Sequence, residues 1–185
     1  MKITLNLDNL KIDNLYYGGN QDWYNSYFKR LAGCGPTTAS TIIMYEEKKA
    51  YTKEEFINLM NTLWKYITPG MMGVDSVDKY KRGFDKFISD NKLSYSSKIL
   101  NLNNTNLDEV KNYLVDAITN DHPVAFLNLN HGSEKNLDSW HWSTIVGINT
   151  DTLDIDICDE GYIKIINIAS WYGSTKGNGS FIYYF

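Results

Sequence analysis

The sequence has few of the residues that cross-link a fold or hold a metal. Its 185 residues include only two cysteines and three histidines. Cys34 and Cys158 allow one disulfide at most, and no Cys-x-x-Cys or His-x-x-x-His pair is present. We therefore predict two reduced thiols, no metal site and no cofactor.

An excess of positive charge and long apolar runs are also missing. The net charge of −4 argues against general binding to nucleic acids or anionic membranes. No stretch approaches the roughly 18 apolar residues of a membrane span. The first fifteen residues lack the basic start and apolar block of a secretion signal. We expect a soluble, cytoplasmic protein; the sequence does not predict its oligomeric state.

A change of hydrophobic period divides the chain. Four amphipathic helices are predicted, beginning near Pro36, Thr52, Val77 and Asn106. After Pro123, short β-branched and aromatic runs such as "WHWSTIVGI" and "LDIDICD" predict antiparallel strands. We therefore predict one α+β domain over residues 1–185, mainly helical over 1–120 and an antiparallel sheet over 121–185.

Cys34 lies in an unusual turn, "LAGCGPTTAS", where the predicted helix begins. A helix N-terminus and a nearby imidazolium both favour a nucleophilic thiolate. Gly33 and Gly35 would let a substrate carbonyl approach the backbone, so that the Cys34 N–H faces a developing oxyanion. The alternative interpretation is that these small residues serve packing.

His141 is the best candidate for the base. His122 and His131 lie in polar turns or loops and are expected to be exposed. His141 starts a strongly apolar strand, where a histidine on its own is more often a core residue. Together with Cys34, however, it forms a thiol–imidazole combination that predicts nucleophilic catalysis.

Asp159 ends the strand that follows. Residues 141 and 159 are about equally far from a hairpin turn near "NTDT", so the two side chains can meet across neighbouring strands. Alternation puts Asp159 on the face of Ile155 and Ile157, an odd place for a carboxylate without a role. Cys158 lies on the other face, and we predict a buried, inert thiol there.

Gln21, in "GGNQDWY", is the candidate for an oxyanion donor, and a solvated loop amide is the alternative. The nearby aromatic residues either line a substrate groove or pack the 16–33 loop onto the domain; they are Trp23, Tyr24, Tyr27 and Phe28.

These motifs together resemble the papain-like cysteine peptidase superfamily. "GCGPTTAS", "HWSTIVGI" about a hundred residues later and a carboxylate ending the next strand are similar to its bacteriocin-processing branch. That branch comprises the double-glycine-leader peptidases and their stand-alone bacterial relatives. The resemblance implies a helical half that carries the nucleophile, packed on an antiparallel β half, with a peptide or protein substrate between them.

The resemblance also implies roles: Cys34 as nucleophile, His141 as general base, Asp159 as its orienting partner and Gln21 as oxyanion residue. Two departures stand out. Gln21 lies 13 residues before Cys34, a wider gap than the family usually has, and the Trp-Gly that often follows the third member is missing. Ser170, in "SWYG", is an alternative third member, but the chain must first cross another strand.

Three functions remain open from the sequence. The first is a thiol hydrolase that cleaves peptide or isopeptide bonds through a thioester. The second is an acyltransferase or transglutaminase-like enzyme that uses the same triad. The third is a catalytically silent papain-like domain that binds peptides. Because no long segment precedes Cys34 and no ATP-binding or membrane domain accompanies it, neither zymogen control nor an export role is predicted.

Overall fold

The computed structural model describes residues 1–71 and 73–185, which fold with an α+β architecture. The described residues form six α-helices: α1 (Tyr27–Ala32), α2 (Cys34–Glu47), α3 (Lys53–Tyr66), α4 (Val77–Asp90), α5 (Leu107–Thr119) and α6 (Ile168–Thr175). They also form nine strands: β1 (Lys2–Thr4), β2 (Lys11–Ile12), β3 (Tyr16–Tyr17), β4 (Ser97–Asn101), β5 (Val124–Asn128), β6 (His141–Asn149), β7 (Asp154–Asp159), β8 (Tyr162–Asn167) and β9 (Gly179–Tyr184).

Seven of these strands make one antiparallel sheet. Its order is β4-β9-β5-β6-β7-β8, and β1 pairs with the second half of β6. The predicted α+β class and antiparallel sheet are therefore confirmed. Residue 120 does not separate helices from sheet, however, because β1 and β4 come from the part predicted to be mainly helical. β4 was missed because "SKILN" is only five residues long and has no clear alternation.

The predicted helix starts agree with the structure to within two residues. Thr52 and Asn106 each form a capping box with the glutamate three residues later, which satisfies N–H groups that the helix leaves unpaired. α2 starts at Cys34 rather than Pro36. α1 lies inside the segment predicted as a loop, and α6 contains the "SWYG" stretch.

The small residues of α2 match its position in the interior. Every residue from Cys34 to Tyr45 is buried, so only the C-terminal end of this helix reaches solvent. Its hydroxyls donate to carbonyls one turn earlier: Thr37 to Gly33 at 2.8 Å and Thr41 to Thr37 at 3.1 Å. Polar side chains are tolerated here because the helix backbone itself satisfies them.

The sheet packs helices on both faces. One cluster joins α2, α3 and α4 to the sheet through residues such as Ile42, Phe84 and Trp142. A second cluster on the other face contains Leu114 of α5 and Trp171 of α6. Across the described chain, helices of sufficient length and apolarity to span a bilayer are not found.

Candidate active site

Cys34 is the first residue of α2, with Gly33 as the N-cap. A Cβ atom on Gly33 would lie 2.4 Å from the Lys29 carbonyl oxygen, and one on Gly35 would lie 2.8 Å from Val74 Cγ2. Both glycines are therefore required by close packing. The same packing fixes the thiol at the positive end of a helix dipole, where N–H groups lack intrahelical partners.

His141 and Asp159 meet across neighbouring strands. Nε2 of His141 lies 2.7 Å from Oδ1 of Asp159, and the two side chains are only 11% and 5% exposed. Thr144 pairs with Cys158, so Asp159 lies opposite Ser143 and is a diagonal neighbour of His141 on the same face. Because Nε2 is used by Asp159, Nδ1 is the ring nitrogen left for Cys34.

The surroundings of this pair favour its charged form. Burial alone would lower the pKa of His141, but the hydrogen bond to the Asp159 carboxylate, its negative charge and the neighbouring Cys34 hold it well above the ordinary value. Burial would raise the pKa of Asp159, but His141 and Lys164 keep it below the usual range. Asp159 is thus a buried carboxylate that stays ionised beside a histidine poised to hold a proton.

A tight turn fixes the position of Asp159. Glu160 and Gly161 connect β7 to β8 with φ values of 54° and 83°, the left-handed conformation of a type I′ hairpin turn. The N–H of Gly161 donates to the Gly19 carbonyl at 3.1 Å, and Asn20 Nδ2 donates to the Glu160 carbonyl at 3.1 Å. The turn after Asp159 is therefore fastened to the segment that leads into Gln21.

Gln21 lines the same small cavity as Cys34 and His141. Its Nε2 donates to the Arg30 carbonyl at 2.8 Å, which leaves the second N–H of the amide available. Among the described residues, its buried Oε1 has no hydrogen-bond partner. The wide gap to Cys34 is closed because α1 turns back between them.

Cys158 also lines this cavity, but it belongs to strand β7, one residue before Asp159. Burial raises the pKa of its thiol, and the charges of Asp159 and Asp156 raise it further. The neutral, unreactive thiol predicted from the sequence agrees with these surroundings.

The other candidates lie elsewhere. His122 Nδ1 lies 3.3 Å from Glu46 Oε1, and its ring stacks on Tyr183. The backbone N–H of His131 donates to Ser139 Oγ in an exposed loop. Ser170 lies in α6, where its carbonyl accepts from Ser133 Oγ at 3.3 Å. None of the three lines the cavity.

Most of the aromatic segment packs onto the domain, and none of its four aromatic residues lines the cavity. Tyr24 is fully buried and donates to the Met60 carbonyl at 3.0 Å, and Trp23 packs edge-on against Phe56. These two rings pack the segment onto the domain. Phe28 packs edge-on against Trp64 although it stays partly exposed, and Tyr27 is exposed on α1.

Lys164 lies next to the site but was not among the residues predicted from the sequence. Its Nζ donates to Asp159 Oδ2 at 2.8 Å and to Glu160 Oε2 at 2.7 Å. A lone charge in the apolar run "YIKIINI" was the available signal, because a lysine inside a strand usually needs a partner.

Comparisons with known proteins agree with the fold. A family model described as the Peptidase_C39 like family matches residues 18–162. No curated protein matches the sequence significantly. Among solved structures, the chain is similar to UfSP from C. elegans, with a TM-score of 0.53 and 13% identity. That match covers 100% of this chain but 34% of the UfSP chain, and at such low identity it bears on the fold alone. The chain belongs to the Peptidase_C39 like family, and its fold is that of the papain-like cysteine peptidases.

Proposed function

We propose that this protein is a cysteine peptidase that cleaves peptide or isopeptide bonds through a Cys34–His141–Asp159 triad. The observation that carries the proposal is the 2.7 Å contact between His141 Nε2 and Asp159 Oδ1, which leaves Nδ1 to the thiol at a helix N-terminus. Membership of the Peptidase_C39 like family supports the same reaction class.

In the first step, the Cys34 thiolate attacks the carbonyl carbon of the substrate amide. A new C–S bond forms and the C=O electron pair moves to the oxygen, giving a tetrahedral oxyanion. The His141 imidazolium then gives its proton to the departing nitrogen, the C–N bond breaks, and a thioester and a free amine result. Asp159 keeps the ring oriented and stabilises its charged form.

In the second step, neutral His141 takes a proton from water as the water oxygen attacks the thioester carbon. Collapse of the second tetrahedral intermediate breaks the C–S bond and releases the acid. The thiolate and imidazolium are thereby restored, so no cofactor is consumed.

Gln21 is proposed to stabilise both oxyanions together with the Cys34 backbone N–H. The hydrogen bond to the Arg30 carbonyl holds the amide in place, and the remaining N–H is free to donate. Replacing Gln21 by Ala should lower kcat by about 100-fold with little change in KM, because the oxyanion exists only near the transition state.

The substrate is proposed to be a peptide or protein segment that passes over the cavity. Two exposed apolar residues lie next to the catalytic ones in sequence: Leu31, three residues before Cys34, and Trp140, immediately before His141. Trp140 has a φ of 60°, a conformation that is strained for a bulky side chain and that turns the chain just before the base.

The proposal is tested by incubating the protein with a peptide library and identifying new termini by mass spectrometry. Cleavage by the wild type and none by Cys34→Ala is the expected result. Glycinamide in the mixture separates hydrolysis from acyl transfer, since an acyltransferase would give mainly the amine adduct. Binding of peptides without cleavage or adduct formation would contradict the proposal and favour a silent domain.

A further inference from the structure

We propose that Lys164 is a positioning residue of the triad, which acts through Asp159 to orient the carboxylate and set the pH range of the Cys34–His141 pair. This inference rests on the proposed function. Lys164 does not line the cavity that contains Cys34, so it does not itself contact the reacting atoms.

The three charged side chains follow a diagonal across adjacent strands. Ile157 pairs with Lys164, and Asp159 lies two residues beyond Ile157 on the same face. His141 approaches Asp159 from β6 on the other side in the corresponding diagonal position. Asp159 is thus held between a histidine and a lysine from the two flanking strands.

Each oxygen of the carboxylate has its own cationic partner. Oδ1 faces His141 Nε2 at 2.7 Å, and Oδ2 accepts from Lys164 Nζ at 2.8 Å. With Asp159 only 5% exposed, Oδ2 would otherwise lose its hydration without compensation. Two anchored oxygens also fix the rotation of the carboxylate group, so that Oδ1 points at the imidazole.

The second contact of Lys164 moderates its charge. Glu160, which is about half exposed, accepts from the same Nζ at 2.7 Å. The groups that face Asp159 are therefore His141 from β6, Lys164 from β8 and Glu160 in the turn, with Cys34 beyond the imidazole. Among these, Lys164 is the cation that does not exchange a proton during the reaction.

Removing the charge of Lys164 should shift the pH midpoints of the Cys34–His141 pair in a predictable direction. Lys164 offsets part of the negative charge of Asp159, so without Lys164 the carboxylate makes protons harder to remove from His141 and Cys34. In Lys164→Met, both the formation of the thiolate–imidazolium pair and the loss of the imidazolium proton should therefore shift to higher pH. Lys164→Arg keeps the charge and should behave like the wild type.

The experiment measures the rate of Cys34 alkylation by iodoacetamide between about pH 4 and pH 9, without any substrate. We expect two midpoints in the wild type, and both should lie about 0.5–1 unit higher in Lys164→Met, with three- to tenfold slower labelling below the first midpoint. Lys164→Arg should restore the wild-type profile.

Lys2→Met is the matched control. Lys2 Nζ lies 2.8 Å from Asp156 Oδ2, a carboxylate that is 8% exposed and lies on the same strand, so this variant also removes a lysine from a buried aspartate of β7. Its profile should not move. Near-UV circular dichroism checks that each variant is folded, and Lys164→Gln replaces Lys164→Met if that variant does not fold.

A second test asks whether Lys164 acts through Asp159. In an Asp159→Asn background, Lys164→Met should change the labelling rate by less than about twofold, because the carboxylate on which it acts has been removed. If the wild type shows two midpoints and Lys164→Met leaves both unchanged, the proposed role of Lys164 is overturned but the proposed function is not. A single wild-type midpoint near that of an ordinary thiol, about 8.5, would overturn the proposed function as well.

Discussion

Cys34 and Cys158 have 6% and 5% of their surface exposed and line the same cavity, yet their surroundings differ in every other respect. Cys34 starts a helix and interacts with an imidazole that holds a proton. Cys158 lies near the end of β7, where burial first, and then the charges of Asp159 and Asp156, raise the pKa of its thiol and keep it neutral. Similar exposure therefore does not make two thiols alike: at Cys34 a helix N-terminus and an imidazole oppose the effect of burial, whereas at Cys158 the nearby negative charges add to it.

The largest expected effect comes from replacing each thiol in turn by a hydroxyl. Cys34→Ser should lower kcat/KM for peptide cleavage by at least about 1,000-fold, because a serine hydroxyl is not ionised by this histidine. Cys158→Ser should keep cleavage within about threefold of the wild type. A loss of activity in Cys158→Ser with an intact fold would contradict the contrast between the two cysteines.

The second-largest effect is expected from removing the imidazole that interacts with Cys34. His141→Ala should lower kcat/KM by about 100- to 10,000-fold, since it removes both proton transfer and the partner of the thiolate. His122→Ala is the control, because His122 also pairs with a carboxylate but contacts Glu46 outside the cavity. Steady-state kinetics that place both variants at the same activity would argue against a special role for His141.

Removal of the carboxylate should affect stability in a pH-dependent way. The raised pKa of His141 stabilises the fold below about pH 6.5, and this is lost as the pH rises through the folded-state value. The lowered pKa of Asp159 stabilises the folded protein above about pH 3.9, and this stabilisation is lost as the pH falls through the folded-state pKa.

Asp159→Asn should therefore be least stable relative to the wild type between about pH 4 and pH 6.5, by about 3 kcal/mol. Urea unfolding at several pH values measures this difference. A difference that does not vary with pH would show that the pair is not charged in the folded protein.

The smallest effect concerns the turn that aims Asp159. Gly161 has a φ of 83°, so Gly161→Ala should cost about 1–2 kcal/mol of stability and lower activity moderately. Gly173 is a matched control, because a Cβ there meets nothing within 4 Å and its φ is not in the left-handed region. Equal stability losses in Gly161→Ala and Gly173→Ala would remove the argument that this turn is conformationally selected.

Much of the fold was predictable because its signals are local. Caps at Thr52 and Asn106 and the alternation in "LDIDICD" each depend on a few neighbouring residues. β4 and α1 were not predicted, because such short elements are stabilised by tertiary partners: β4 exists by pairing with β9, and α1 by the turn back towards Cys34.

Local signals and tertiary contacts also differ in what they predict within the candidate site. Cys34, His141 and Asp159 were named from motif and strand alternation, and the structure brings them together. Lys164 was not named, because the lone charge in "YIKIINI" does not identify its partner, which depends on the register between β7 and β8.

The most direct test of the central claim is limited alkylation of the folded protein with iodoacetamide at about pH 5.5, where an ordinary thiol is almost fully protonated. Mapping the label by mass spectrometry should show fast modification of Cys34, none of Cys158, and labelling slowed by about 100-fold in His141→Ala. If Cys34 reacts no faster than a free thiol and His141→Ala changes nothing, the thiolate–imidazolium pair does not exist and the peptidase assignment fails.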